Sequence, residues 1–277
     1  MPLEITSPII VVGSACIVIL LERLFPYDGH QTLLRSGFFS DLAFYAILQS
    51  YLLGYIIFFF VDWIDHTTGM SRLRLVSDWP IVWQAIFFLV LHDLYIYWFH
   101  RWQHASKYLW RIHEAHHSSP DVDWLSGARS HSIEILINQT IEYAPIVLLG
   151  ASPQIALFKG IADSVWGMYI HSNIDVHSGF LQYVINGPEM HRWHHAREIT
   201  EGGINFSTKL AIWDWMFGTA YLPRPVKPSG YGLAGVNFPK NYFAQHIFAF
   251  RKFDRTSDEK GSQANEDTGT QPSQSIG

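Results

Sequence analysis

Residues 80–104 read PIVWQAIFFLVLHDLYIYWFHRWQH, and this stretch decides the fold. Its first 20 residues are apolar enough to cross a hydrocarbon core of roughly 30 Å, which takes about that length of helix. The run then meets two histidines, His100 and His104, four positions apart. On a helix that spacing places both rings on one face. A membrane helix therefore ends in a pair of imidazoles, nitrogen donors that suit iron, zinc or copper.

Two more clusters follow. His113-Glu114-Ala115-His116-His117 comes after a short link at 105–112, and His191-Arg192-Trp193-His194-His195 follows Pro188, a plausible helix start. Eight such ligands are too many for one ion and about right for two, so the expectation is a dimetal site. His171 and His177 flank residues 172–176, and one or both complete the second metal's set; the plain alternative is a hydrogen-bonding loop residue. His30, His66, His92, His131 and His246 stand alone and read as ordinary polar residues. Asp93 reads as a carboxylate that orients a ligand or pairs helices, and Asn205 and Asp214 as similar supports.

Working outward, the chain is 48% hydrophobic and only 16% charged, against roughly 25% charged in soluble domains. Residues 5–25 and 38–61 join 80–99 as candidate spans, with Trp63, Trp79 and Trp83 near span ends. The N-terminus lacks the basic region of a cleaved leader, so 5–25 is read as a retained span. Segments 133–150 and 153–171 are shorter and carry Glu134, Asn138, Gln139, Glu142, Lys159 and Asp163. Charge facing lipid is costly, so these two are expected to form a tight spanning or re-entrant hairpin with its polar groups turned inward.

The expected fold is an all-α integral membrane protein of about four or five transmembrane or re-entrant helices. A single domain covers 1–255, and the polar stretch 256–277 is expected to be a disordered tail. Most of the 19 Lys and Arg residues lie in 101–129 or beyond His171, which assigns the histidine-rich cap to the cytoplasmic face. No basic block tracks a phosphate backbone, so nucleic acid is not an expected partner. The lone Cys16 leaves no disulfide or thiolate metal site within one chain.

The order HxxxH, HxxHH, HxxHH between membrane spans resembles the fatty acid hydroxylase / sterol desaturase superfamily of membrane di-iron oxygenases. The likeness extends over about 91–221. It includes Asp93 to Arg101, Leu109-Trp110-Arg111-Ile112-His113, His116-His117-Ser118, Asn186-Gly187-Pro188, Asn205-Phe206, Ile212-Trp213-Asp214 and Phe217-Gly218-Thr219. The Trp110 to Pro120 and His171 to His195 stretches look most like the alkylglycerol monooxygenase branch. Met190 departs from it, standing where that branch often has another His, and so does His177, where it often has none.

The resemblance implies two iron ions held by the box histidines with one or two more from the region of His171 and His177. It also implies O2 as co-substrate and hydroxylation or desaturation of a membrane lipid: a sterol, fatty acyl or ether lipid. No His-Pro-Gly-Gly haem segment, GxGxxG or CxxC occurs, so electrons are expected from an external reductase, ferredoxin or cytochrome b5-like carrier. The membrane would be a bacterial inner membrane or one of ER type. Two other readings stay open. His113-Glu114-x-x-His117 also fits a membrane zinc hydrolase with Glu114 as general base. The third is a lipid- or metal-binding membrane protein without catalysis.

Overall fold

The computed structural model describes residues 3–199 and 202–252; the expected tail at 256–277 lies outside them. Among the described residues, regular structure is helical, with two isolated bridges, Pro26 to Ile174 and Ala196 to Tyr231. Among the described residues, three helices are long and apolar enough to cross a membrane: α1 (Leu3–Leu24), α2 (Phe38–Thr68) and α3 (Ile81–Ala105). They present Val12, Phe58, Trp63, Val82 and Trp83 outward, an exposed apolar girdle that water would not tolerate.

The hairpin is α5 (Ser132–Leu148) and α6 (Pro153–Ile170). Ile135, Leu136 and Ala144 of α5 pack on Leu53, Ile57 and Val61 of α2. At the hairpin tip, Ile146 and Ile155 join Val76 and Phe88 in a second apolar cluster. The tip therefore meets loop 69–80, at the end of the bundle opposite the histidines. Gly150 turns it with φ +72°, and a Cβ there would meet the Ser71 carbonyl oxygen at 2.8 Å. The expected polar groups do turn inward: Glu134, Glu142 and Lys159 are buried.

α3 reverses its character along its length. Its first half exposes apolar side chains, whereas its second half buries His92, Asp93, Tyr97, His100, Gln103 and His104. α2, at 31 residues, is about 46 Å long and outreaches the hydrocarbon. Over Asp41–Gln49 it widens to a π-helix, which keeps the buried Asp41, Tyr45 and Gln49 on one face. Asp41 binds Arg35 and Arg129, and Gln49 donates to the Ser130 carbonyl, so this end of α2 is tied to the cap.

The cap holds the short helices α4 (Lys107–His117), α7 (Pro188–His194), α8 (Ile212–Phe217) and α9 (Tyr242–Phe248). The loop between α1 and α2 belongs to it too, through Tyr27 to Asn173 and Arg35 to Asp123.

Candidate metal centre

Ser106 is the extended residue at which α3 stops, and its hydroxyl accepts from the Leu109 amide to start α4. The expected link at 105–112 is thus mostly helix, with Ser106 alone between the two. That sharp reversal folds α4 back, so His113 and His117 face His100 and His104. α7 begins at Pro188, whose fixed φ suits a first helical turn, and it delivers His191, His194 and His195.

The rings gather into two buried groups. His100, His104, His113, His117 and His194 form the first, and His116, His171, His191 and His195 the second. The second and third boxes are each divided between the groups. Residues four apart (100 and 104, 113 and 117, 191 and 195) stay together, as a shared helix face requires. The groups adjoin, with ring centroids 4.6 Å apart for His117 and His195. His171 is therefore brought in, as expected. His177 is not: its ring is 75% exposed and lies 3.2 Å from Glu189 Oε1, outside both groups. The expectation that His177 joins the ligand set does not match its position, because the chain turns outward after Ile174 and leaves that ring on the surface.

The outer nitrogens show how the rings are held. His100 Nδ1 donates to the Phe206 carbonyl at 2.8 Å, His116 Nδ1 to Arg129 at 3.0 Å, His171 Nδ1 to Gly167 at 2.8 Å and His194 Nδ1 to Ile204 at 2.7 Å. His113 Nδ1 donates to Glu134 Oε1 at 2.8 Å, and Gln103 donates to the same oxygen. A neutral ring that spends its proton at Nδ1 has a bare lone pair at Nε2. Yet Nε2 of His100 lies 3.1 Å from Nε2 of His113, and Nε2 of His116 3.3 Å from that of His171. Those are lone pairs facing lone pairs, which repel unless a cation stands between them. Two nitrogens bound at about 2.1 Å to one ion stand about 3.0 Å apart at a right angle and about 3.4 Å at a tetrahedral one. Each group thus has the donor chemistry and spacing of a metal shell.

Electrostatics point the same way. Burial first, and neighbouring imidazoles second, hold His117, His191, His194 and His195 well below the ordinary histidine range. His171 is pushed down to about 3, mainly by burial and then by His116. Neutral rings are what a metal needs.

The loop at 203–211 supplies two of the anchoring carbonyls, and two aspartates shape it. Asp93 accepts from Thr208 Oγ1, the amides of Lys209 and Leu210 and the Trp213 indole, at 2.8 to 3.0 Å. Asp214 accepts from the Phe206 and Ser207 amides and the Thr219 hydroxyl. Asn205 sits at φ +51° and ties Met190 to Tyr221. All three act as the supports their sequence positions suggest. Glu134 was legible only as an inward-facing polar residue, not as the partner of His113. The anchoring carbonyls leave no mark in the sequence at all.

Glu114 does not face the rings. Its carboxylate is paired with Arg251, Oε2 accepting from Nη2 at 2.8 Å. A cavity of about 220 Å³ opens beside the imidazoles, walled by Ile96, Phe99, Trp166 and Ile170 and reaching His100, His116 and His191.

Residues 85–219 match the fatty acid hydroxylase family, a stretch that contains both imidazole groups. The ornithine lipid hydroxylase of Rhizobium tropici is 28% identical over 86% of this chain and 73% of its own length. Alkylglycerol monooxygenase of Homo sapiens is 33% identical over 51% of the chain and 31% of its own length. That of Xenopus tropicalis is 30% identical over 76% and 44%. The chain thus spans less than half the length of these monooxygenases. No solved structure matches it. The resemblance to the fatty acid hydroxylase superfamily, read from the boxes, is borne out.

Proposed function

We propose that this fatty acid hydroxylase-type chain is an O2-dependent membrane oxidoreductase that hydroxylates a C–H bond of a lipid. The single observation that carries the reading is the pairing of bare Nε2 lone pairs within two buried, adjoining imidazole groups. Two metals are proposed, held by His100, His104, His113, His117 and His194 and by His116, His171, His191 and His195. The five nitrogens of the first set exceed the four of a structural zinc site and suit an ion of higher coordination, which favours iron there; iron in the four-histidine set is proposed from the adjoining position of the two groups. Iron so held supplies the O2 chemistry that an unactivated C–H bond demands.

The balance is one C–H bond, O2, two electrons and two protons, giving C–OH and water. The electrons come from an external carrier, since nothing in the chain marks a second redox group. Glu134 and the anchoring carbonyls hold the rings in place, and the apolar cavity walls admit a lipid segment while limiting water. The relatives named as ornithine lipid hydroxylase and alkylglycerol monooxygenase support a lipid with a polar headgroup as substrate. Arg72 and Arg74 lie in the loop at the far end of the bundle, whereas most other cationic residues lie on the histidine side; we place that side in the cytoplasm. The zinc hydrolase reading loses its general base, because Arg251 holds Glu114.

The test is metal analysis joined to lipidomics under labelled O2. We expect about two irons per chain and one labelled oxygen in a lipid product, only when reductant is supplied. His194→Ala should lose bound iron and turnover, on the order of 100-fold or more, while still inserting into membranes. Full activity in purified His194→Ala, or product formed without O2, would refute the assignment.

A further inference from the structure

The helix α9 is short, yet its two faces differ sharply. Phe243, Ile247 and Phe250 are 60%, 71% and 70% exposed, and their spacing of four and then three places them in one row. The opposite face is buried and bonded. Gln245 accepts from the Tyr45 hydroxyl of α2 and donates to the Pro239 carbonyl. His246 Nε2 accepts from the Ser132 amide at the start of α5, at 3.1 Å. Just past the helix, Arg251 holds Glu114 of α4. The inner face thus fixes the helix in place, and the outer row is left as a contiguous apolar patch.

The position of α9 says what covers that row. Tyr242 stacks on Phe44 of α2 with ring centroids 5.3 Å apart, and Phe243 meets the same ring edge-on at 5.9 Å. Phe44 lies six residues into α2, no more than about 9 Å along its axis. At about 46 Å, α2 matches a whole bilayer, which measures roughly 40–45 Å with its headgroups. With α2 centred there, α9 lies near the boundary between headgroups and hydrocarbon, the depth at which amphipathic helices bind.

The row also continues the lipid-facing surface. Leu48, about one turn deeper than Phe44 on α2, is exposed, and so is Ile133, next to the Ser132 that His246 holds. Lys240 and Lys252 are exposed at the two ends of the row, where ammonium groups on apolar stems can reach lipid phosphates. The rest of the chain offers little other cover, since 253–277 contains only Phe253 and Ile276 as large apolar residues.

We propose that the Phe243, Ile247 and Phe250 face of α9 is seated in the bilayer leaflet on the histidine side, with Lys240 and Lys252 at its phosphates. The leaflet steadies α9, and α9 in turn holds Ser132 of α5 and Glu114 of α4, the neighbour of His113. The proposal needs only the spanning helices, not the reaction assigned to the imidazoles.

The experiment uses the full chain, as purified, in vesicles of phosphatidylcholine with one quarter phosphatidylglycerol. Cys16, the single cysteine, is exposed on the α1 span and serves, once spin-labelled, as the lipid reference. In a Cys16→Ser background, labels at Phe243→Cys and Ile247→Cys are compared with one at Val226→Cys, exposed in a cap loop, as the water reference. The readout is the ratio of collisions with O2 to collisions with a water-soluble nickel chelate. On α9 it should exceed that at position 226 about fivefold or more and fall short of that at the deeper Cys16. A ratio equal to that at position 226 puts the face in water and overturns the proposal. Labels shielded from both reagents, by a second copy or by the chain beyond 252, overturn it as well. The unaltered chain gives an independent reading. Phosphatidylcholine with a diazirine on its acyl chain should, on irradiation, attach to residues 243–250 as it does to α1. A labelled α1 beside an unlabelled 243–250 overturns the proposal even where a variant has misfolded.

Discussion

Gly127 has no side chain because His171 leaves it no room. A Cβ there would stand 2.5 Å from His171 Nδ1, the nitrogen that donates to the Gly167 carbonyl. Neither group can yield without moving the ring out of the second imidazole set. On the two-metal proposal, Gly127→Ala should therefore release the ion assigned to His116, His171, His191 and His195 and spare the other one. Metal analysis should fall from about two ions per chain to about one, with turnover lowered tenfold or more. Two retained ions would show that the ring has another place to go. This scale also shows what a sequence can carry. His100, His104 and the two HxxHH boxes were legible because their spacing alone converges rings on a helix face. His171 and His177 flank one short segment with equal claim, and only the outward turn of the chain separates them. His92 read as an isolated histidine because its partners, Lys159 and Glu142, come from other helices.

Among elements, the loop at 203–211 is irregular and holds two rings by its carbonyls, Ile204 to His194 and Phe206 to His100. Its shape comes from four donors gathered on the Asp93 carboxylate. Gly203 adds a second constraint: at φ +60° a Cβ would meet Phe206 Cε1 at 2.5 Å and His104 Cγ at 2.8 Å. Asp93→Asn keeps the size but turns an amide N–H₂ toward those donors, stranding at least one of them. Losing a charged acceptor of this kind costs about 1.5–3 kcal/mol per bond. The expected outcome is 10- to 100-fold weaker metal binding with helix content unchanged, read by metal competition and circular dichroism on the same sample. Wild-type affinity would mean that Asp214 shapes the loop alone. The long spans were plain from hydropathy, whereas the hairpin was ambiguous for a physical reason. Glu134, Glu142, Lys159 and Asp163 interrupt its apolar pattern because the three carboxylates face the site and its cavity, and Lys159 is buried against two of them, instead of meeting lipid.

For the whole molecule, the balance between protons and metal sets how it should respond to pH. The cap and hairpin end hold His113, His116, His117, His171, His191, His194 and His195 in a buried cluster, each with its pKa lowered mainly by burial. In the unfolded chain these rings would take up protons near pH 6.5. Between that value and the lower folded one, to about 3 for His171, the unfolded state binds more protons than the folded state. Stability from these rings is therefore complete above about pH 6.5 and is lost as pH falls. Each ring contributes up to about 1.4 kcal/mol per pH unit over its own window. Metal bound to the same lone pairs must compete with those protons, so occupancy should fall in the same direction. Metal retention and thermal melting compared at pH 8.0, 7.0 and 5.5 should show little change across the first interval. A sharp joint loss should follow across the second. A melting temperature that is flat down to pH 5.5, with metal retained, would mean that the rings are not the neutral, converging set the structure shows. The apolar girdle on α1, α2 and α3 has no titratable partner in this loss. Helix content should therefore outlast the metal, the bundle remaining in detergent after the cap has come apart.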